Sequence, residues 1–265
     1  VYAAQTLSTA RRVGLLGDLH GDIHHLREVS ELMSRRGIRV LVQLGDFGFV
    51  DAKPERSNLG WASEILAENG QSLFFVDGNY DQHEVIYGHP IRSDGIRWLA
   101  VNIGALPRAF RTTVGGRRSF VALGGANSID HPRARPLEAI TPDDLVALGS
   151  AGADVMVGHD APAPFPTLDR LLAKTDRYWS ADGLAYAAEG RAAFTRGFMT
   201  VRPSLYLGSH FHTHLDEVIS FGRGADRFET RVVLLDSGGS RSRVSQAILD
   251  LATLELSPFR LNGGK

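Results

Sequence analysis

Val13-Gly14-Leu15-Leu16-Gly17-Asp18-Leu19-His20 is a short apolar run that stops at a glycine and a carboxylate. An apolar run this short, bounded by Gly, predicts a buried strand, with Asp18 and His20 just beyond its carboxyl end. The stretch from Ile23 to Arg36 then carries Leu26, Val29 and Met33 at helical spacing. The unit is strand, loop, helix, and it recurs. Val40-Leu41-Val42-Gln43-Leu44 runs into Gly45-Asp46, a helix is predicted from Asn58 to Asn69, and Leu73-Phe74-Phe75-Val76 runs into Asp77-Gly78-Asn79. Strands alternating with helices specify parallel βαβ units and an α/β fold.

From Ile96 to Gly125 the texture changes to short β-like pieces with turn signals, and Gly115-Gly116 predicts an antiparallel hairpin. Thr141-Pro142-Asp143-Asp144 is a helix start, with a capping Thr, Pro at the first helical position and acids in the first turn. Strands are expected at Asp154 to Val157 and Ser204 to Leu207, and helices at Leu168 to Lys174 and Asp182 to Arg196. Arg231 to Leu235 and Ala247 to Leu251 are expected to close a second sheet. With no internal repeat or low-complexity linker, residues 1–265 read as one domain, and 162–202 as a segment able to cap the site.

The 265 residues are 43% hydrophobic, enough for one large core. Twenty-nine basic and 30 acidic residues leave a net charge of -1, so overall electrostatics give no reason to expect nucleic acid or an anionic membrane as partner. No cysteine is present, which excludes disulfides, thiolate metal sites and a cysteine nucleophile and fits a reducing, cytoplasmic setting. No apolar run approaches the roughly 18 residues of a membrane span, and the N-terminal stretch lacks the apolar core of a signal peptide.

Five segments share one grammar, an apolar strand followed at once by Gly and a potential ligand: Gly17-Asp18-Leu19-His20, Gly45-Asp46, Gly78-Asn79, Gly158-His159 and Gly208-Ser209-His210-Phe211-His212. One Gly-Asp after a strand is ordinarily a turn or a helix cap. Five of them are more than turns require, because in α/β sheets the crevice beyond the carboxyl ends of the strands is where ligands bind. Two carboxylates, one amide and four imidazoles suit Mn, Fe or Zn better than calcium, which takes an all-oxygen shell. Seven donors are too many for one ion and match a pair about 3.5–4 Å apart. Alternation along an extended His210-Phe211-His212 would put both imidazoles on one side.

These blocks resemble those of the calcineurin-like metallophosphoesterase superfamily, which run D-x-H, G-D, G-N-H-D/E, G-H and G-H-x-H. The resemblance extends from Asp18 to His212. It implies a four-layer α/β/β/α sandwich of two mixed sheets flanked by helices. It also implies two divalent ions, Mn2+ foremost and otherwise Fe, Zn or Ni. Asp18, His20 and His212 would hold one, Asn79, His159 and His210 the other, with Asp46 bridging. The implied chemistry is hydrolysis of a phosphate ester by a hydroxide held between the metals. Phe75 to Asn79 and Leu123 to Asp130 further resemble a bacterial and phage branch, which commonly has a Trp-rich stretch where this chain reads His131-Pro132-Arg133-Ala134-Arg135-Pro136.

Tyr80 stands where the superfamily has the His of G-N-H-D/E. A phenol, with an unperturbed pKa of about 10, is a weaker acid than imidazolium. Three sources of the leaving-group proton therefore compete: Tyr80 itself, His83, or solvent or the substrate. The bland reading of His83 is a solvated residue at a helix start. Asp81 is expected to support the loop or His20. Arg133 and Arg135 are candidates to meet a phosphate, with His131 beside them, although an ordinary solvated loop explains them equally. Of the remaining histidines, His214 directly follows the His-x-His. Trp179 is expected in the core, the alternative being that it stacks on a base.

The leading function is hydrolysis of small phosphodiesters or nucleotide-like esters. A Ser/Thr phosphoprotein phosphatase is suggested by Gly17 to Asp22 but opposed by Gly45-Asp46-Phe47-Gly48-Phe49-Val50 and by Tyr80. An interaction module on the same fold is opposed by the complete ligand set. A nuclease lacks the basic stripe with interleaved aromatics.

Overall fold

Each predicted strand-loop-helix unit forms. In the computed structural model, which describes residues 6–261, the chain runs β1 (Arg12–Leu16), α1 (Ile23–Arg35), β2 (Val40–Gln43), α2 (Leu59–Glu68), β3 (Ser72–Phe75) and α3 (His83–Gly88). It continues through β4 (Arg97–Ala100), β5 (Ile103–Ala105), β6 (Arg111–Val114), β7 (Arg118–Leu123), α4 (Pro142–Leu148), β8 (Val155–Gly158), α5 (Pro166–Leu172) and α6 (Ala181–Val201). Strands β9 (Leu205–Gly208), β10 (Leu215–Phe221), β11 (Phe228–Leu234), β12 (Gln246–Asp250) and β13 (Leu256–Phe259) complete it. Residues 1–5 and 262–265, which the one-domain expectation included, lie outside the described residues.

Two mixed sheets face each other, one ordered β13-β12-β1-β2-β3-β5-β4 and the other β10-β11-β9-β8-β7-β6. Val13 and Leu15 of β1, Val40 and Val42 of β2, Phe120 and Ala122 of β7, and Leu205 and Leu207 of β9 alternate into the shared core. Their neighbours along each strand turn outward under helices. Leu16, Leu41 and Phe75 meet Leu26, Val29 and Met33 of α1. Val121, Met156 and Tyr206 meet Phe194 and Phe198 of α6. Burial on both faces explains the unbroken apolar runs of the parallel strands. The result is the four-layer α/β/β/α sandwich.

The predicted cap of α4 forms a reciprocal pair, with the Thr141 hydroxyl accepting from Asp144 N at 3.1 Å and the Asp144 carboxylate accepting from Thr141 N at 2.8 Å. One assignment is corrected. Strand β12, covering Ala247 to Leu251 in part, joins the first sheet rather than the second, antiparallel to β1 with Val13 opposite Leu249. An apolar run does not say which open edge it covers, and β1 would otherwise expose one. No helix among the described residues is long and apolar enough to cross a membrane.

Strands β1, β2, β3 and β5 run parallel in one sheet, and β7, β8, β9 and β11 in the other. The carboxyl ends of β1, β2, β3, β8 and β9 carry the five loops that bear the predicted ligands.

Candidate metal centre

The five loops bring the seven predicted ligands together. His212 Nε2 lies 2.9 Å from Asp18 Oδ2, and His20 Nε2 lies 3.2 Å from His212 Nε2. His159 Nε2 is 3.1 Å from Asn79 Oδ1 and 3.5 Å from Asp46 Oδ2, and the rings of His159 and His210 stand 4.8 Å apart. His20 reaches toward Asp46 at 3.9 Å, so Asp46 stands between the two groups. Asp18, Asp46, Asn79 and His159 are buried, while His20 and His212 face solvent. The centre thus has a fixed floor and one open side.

Four of these residues hold the backbone conformation that L side chains rarely adopt: His20 at φ 46°, Asp46 at 55°, His210 at 68° and His212 at 46°. The extended His-x-His expected from the sequence does not form. β9 ends at Gly208, and left-handed turns rather than strand alternation aim both imidazoles at the site. Two glycines are required by close approach. A Cβ on Gly45 would lie 2.2 Å from His159 Nδ1, and one on Gly78 would lie 2.2 Å from Asp46 N.

The electrostatics call for cations. Burial alone would lower the His159 pKa, but Asp46 and Asp18 outweigh it and push it up to about 10. Asp46 stays below the usual carboxylate range despite its burial, held there by His159 and His20. His210 is pushed down to about 4 by burial and by His159, which leaves it a neutral donor. His159 Nδ1 faces the Leu44 carbonyl at 2.8 Å and keeps its proton there, so a cation that displaced the Nε2 proton would find that lone pair aimed at the site. Asp18 Oδ2 is buried, with His212 Nε2 at 2.9 Å and His20 Nε2 at 3.8 Å turned toward it. Two buried carboxylates faced by imidazoles and an amide oxygen form a donor set that fits a divalent metal pair.

Several supporting residues escape the sequence reading. Asn79 Nδ2 donates to Ser128 Oγ at 3.1 Å, and Ser128 donates to the fully buried Glu138 at 2.6 Å, which turns Asn79 Oδ1 toward His159. Ser209 Oγ accepts from Asp18 N at 3.2 Å and donates to Leu235 O at 2.9 Å. Gln43 donates to the carbonyls of Gly17, at 3.1 Å, and Gly45, tying the ends of β1 and β2. Arg108 clasps the buried Asp77 at 2.7 and 3.1 Å beneath the Asn79 loop. The Leu123 to Asp130 segment stands out as a motif, but nothing in it announces Ser128 as a relay, and Glu138 carries no signal.

The candidates for proton donor and substrate contact divide sharply. The Tyr80 hydroxyl donates to Asp130, and burial together with Asp130 pushes the phenol pKa up, away from that of a useful acid. His83 is no solvated helix start. It is buried with Nε2 3.3 Å from Asp77 and does not line the cavity beside the predicted metal ligands. Asp81 supports loops rather than His20, accepting from Gly78 N at 2.8 Å and Gly48 N at 3.1 Å, and burial and Asp46 push its carboxyl up to about 6. Arg135 donates to Asn79 O at 3.0 Å and lies over the Tyr80 ring. Arg133 turns away to Asp182 at 2.6 Å and Glu189 at 3.6 Å, because those acids of α6 offer it ion pairs. His131 is exposed, 3.8 Å from Asp130. His214 bonds the Leu234 carbonyl at 2.9 Å and so braces β11. Trp179 is 41% exposed and lines a cavity instead of the core.

The model of the family described as calcineurin-like phosphoesterase matches residues 11–214. No curated protein sequence matches the chain. Among solved structures, the dimetal phosphatase of Danio rerio is similar at 11% identity with a TM-score of 0.54, covering 97% of each chain. The protein TT1561 of Thermus thermophilus is similar at 15% identity with a TM-score of 0.53, covering 95% of this chain and 99% of that one. At such identities the likeness concerns the fold. Members of the matched family are generally hydrolases with a dinuclear divalent metal centre. With the family model spanning most of its length, the chain belongs to the calcineurin-like phosphoesterases.

Proposed function

We propose that the chain is a metal-dependent hydrolase of small phosphate esters that prefers singly charged phosphodiesters. The observation that carries the reading is the convergence on buried Asp18 of two close clusters of potential ligand atoms, one with His20 and His212 and one with Asp46 and His159, each within 4.8 Å. In this reading Asp18, His20 and His212 hold one divalent ion, Asn79, His159 and His210 hold the other, and Asp46 is shared. Bound ions of this kind acidify water and neutralise phosphoryl oxygens.

The protein orients these donors before any substrate arrives. His159 is fixed by the Leu44 carbonyl, Asn79 by Ser128, and Asp18 by the Ser209 hydroxyl and the backbone N–H of His210. Because the Tyr80 hydroxyl is committed to a hydrogen bond with Asp130, the leaving group draws its proton from solvent, and esters of acidic alcohols need none. The preference for diesters follows from charge. Arg191, the arginine lining the adjoining cavity, spends its donors on Ala161 O, Pro162 O and Asp169, while Asp130, Asp160 and Asp176 line the same space. A monoester dianion would meet carboxylates without a free guanidinium, whereas a diester presents one charge.

The test is hydrolysis of bis-p-nitrophenyl phosphate, p-nitrophenyl phosphate and a 2′,3′-cyclic nucleotide by metal-free protein reconstituted with Mn2+. Expected is metal-dependent diester turnover that falls by roughly a thousandfold in Asp46→Ala and His210→Ala. Protein that binds two metals yet turns over none of the three esters sinks the reading.

A further inference from the structure

Helix α6 is apolar on two sides. Phe194, Phe198 and Val201 pack on the second sheet, as a surface helix requires. Leu184, Ala187, Ala188 and Ala192, spaced three, four and eight residues along from Leu184, form a different stripe that packs on neither sheet. They line a cavity of about 760 Å3, faced across by Leu172 and Trp179. Half-exposed Trp179 and the alanines at 188 and 192 are open to solvent from this space. An ordinary helix presents polar residues there.

The cavity is continuous with the metal centre, because Asp46, Asn79, His210 and His212 form part of its wall. Phe211 joins the two regions physically. Its ring stands 4.7 Å from that of His210, and the Arg191 guanidinium lies 5.9 Å from its centre. Several polar groups of the wall are engaged: Asp130 by Tyr80, Asp160 by Ala161 N at 2.7 Å, Arg191 by Asp169 and two carbonyls, and Thr175 Oγ1 by Leu172 O at 2.8 Å. The remaining charges are negative. A polyphosphate tail would be repelled, and a base or sugar would find few free donors to read it.

We propose that this cavity binds an uncharged hydrocarbon group, alkyl or aryl, esterified to the phosphate that the metal centre holds. The size fits, since a site of this volume accommodates a group much larger than methyl. Specificity would come from desolvating the hydrocarbon against Leu184, Trp179 and Phe211, with the phosphate anchored next to His210 and His212. The proposal rests on the phosphoesterase reading for the identity of the anchored group.

The experiment measures kcat/KM of the Mn2+-loaded protein for methyl, butyl and octyl p-nitrophenyl phosphate and for thymidine 5′-p-nitrophenyl phosphate. Calorimetric binding of dimethyl phosphate and octyl methyl phosphate is measured in parallel. Expected is a rise of about threefold per methylene until the cavity fills, with octyl well above thymidine. Leu184→Asp should flatten the series, whereas Val218→Asp, at an exposed position outside the cavity, should preserve it. A series that is flat in the wild type, or a thymidine ester that outruns octyl, overturns the proposal even if turnover is metal-dependent. If no ester is hydrolysed, the phosphoesterase reading fails. The binding arm then decides: tighter octyl binding that Leu184→Asp abolishes supports the hydrocarbon site, and equal binding of the two diesters overturns it.

Discussion

The Ser128 hydroxyl donates to Glu138 at 2.6 Å, and Ser128 N donates to the same carboxylate at 2.9 Å. With both its protons so committed, Ser128 can only accept from Asn79, which fixes the Asn79 amide with nitrogen toward Ser128 and oxygen toward His159. A buried carboxylate thus sets the orientation of a proposed ligand it never touches.

Ser128→Ala is therefore expected to weaken one of two Mn2+ binding steps by about 10–100-fold while leaving the other unchanged. Calorimetric titration of the metal-free protein reads this directly. Two unaltered steps would show that the relay is idle.

Gly45→Ala places a Cβ against His159 and forces an alanine into φ 100°. The expected cost is about 2 kcal/mol or more of folding stability, with loss of one metal, measured by denaturant unfolding and metal analysis. A cost below about 0.5 kcal/mol would contradict the close packing.

Tyr80→Phe is expected to change kcat less than about fivefold, with the dependence on leaving-group acidity unaltered, because the phenol proton is committed to Asp130. A general acid would cost about 100-fold or more, and most with poor leaving groups. Rates across substituted phenyl esters distinguish the two.

His25 is buried beside Gly238 and Ser245, and burial lowers its pKa from 6.5 against the opposing charges of Asp22 and Glu28. The unfolded chain therefore takes up the proton first. Its stabilising contribution is complete above pH 6.5 and is lost as pH falls from there through the lower folded value, at no more than about 1.4 kcal/mol per pH unit. Denaturant unfolding between pH 7.5 and 5 should show this component in the wild type and not in His25→Gln. Parallel pH curves for the two proteins would refute it.

The apolar runs ending at Gly17, Gly45, Gly78, Gly158 and Gly208 are enough to read the parallel strands and the seven clustered donors, because strand period and chain breaks are local properties. The edge taken by β12 is not legible, since an apolar strand satisfies any open edge equally. Nor is the turn that aims His210 and His212: the sequence suggests extended alternation, and the left-handed backbone is imposed by surrounding loops.

The sequence by itself determined which side chains can bind metal and that they follow strands, for those facts depend on residue type and on neighbours along the chain. Tertiary structure alone decided the rest. Arg133 is drawn away by Asp182, His83 is buried against Asp77, Trp179 is left beside a cavity, and Glu138 is brought ten residues back to Ser128. Each outcome depends on what a side chain meets across space, where a competing partner or a lost shell of water outweighs the preference the residue carries on its own.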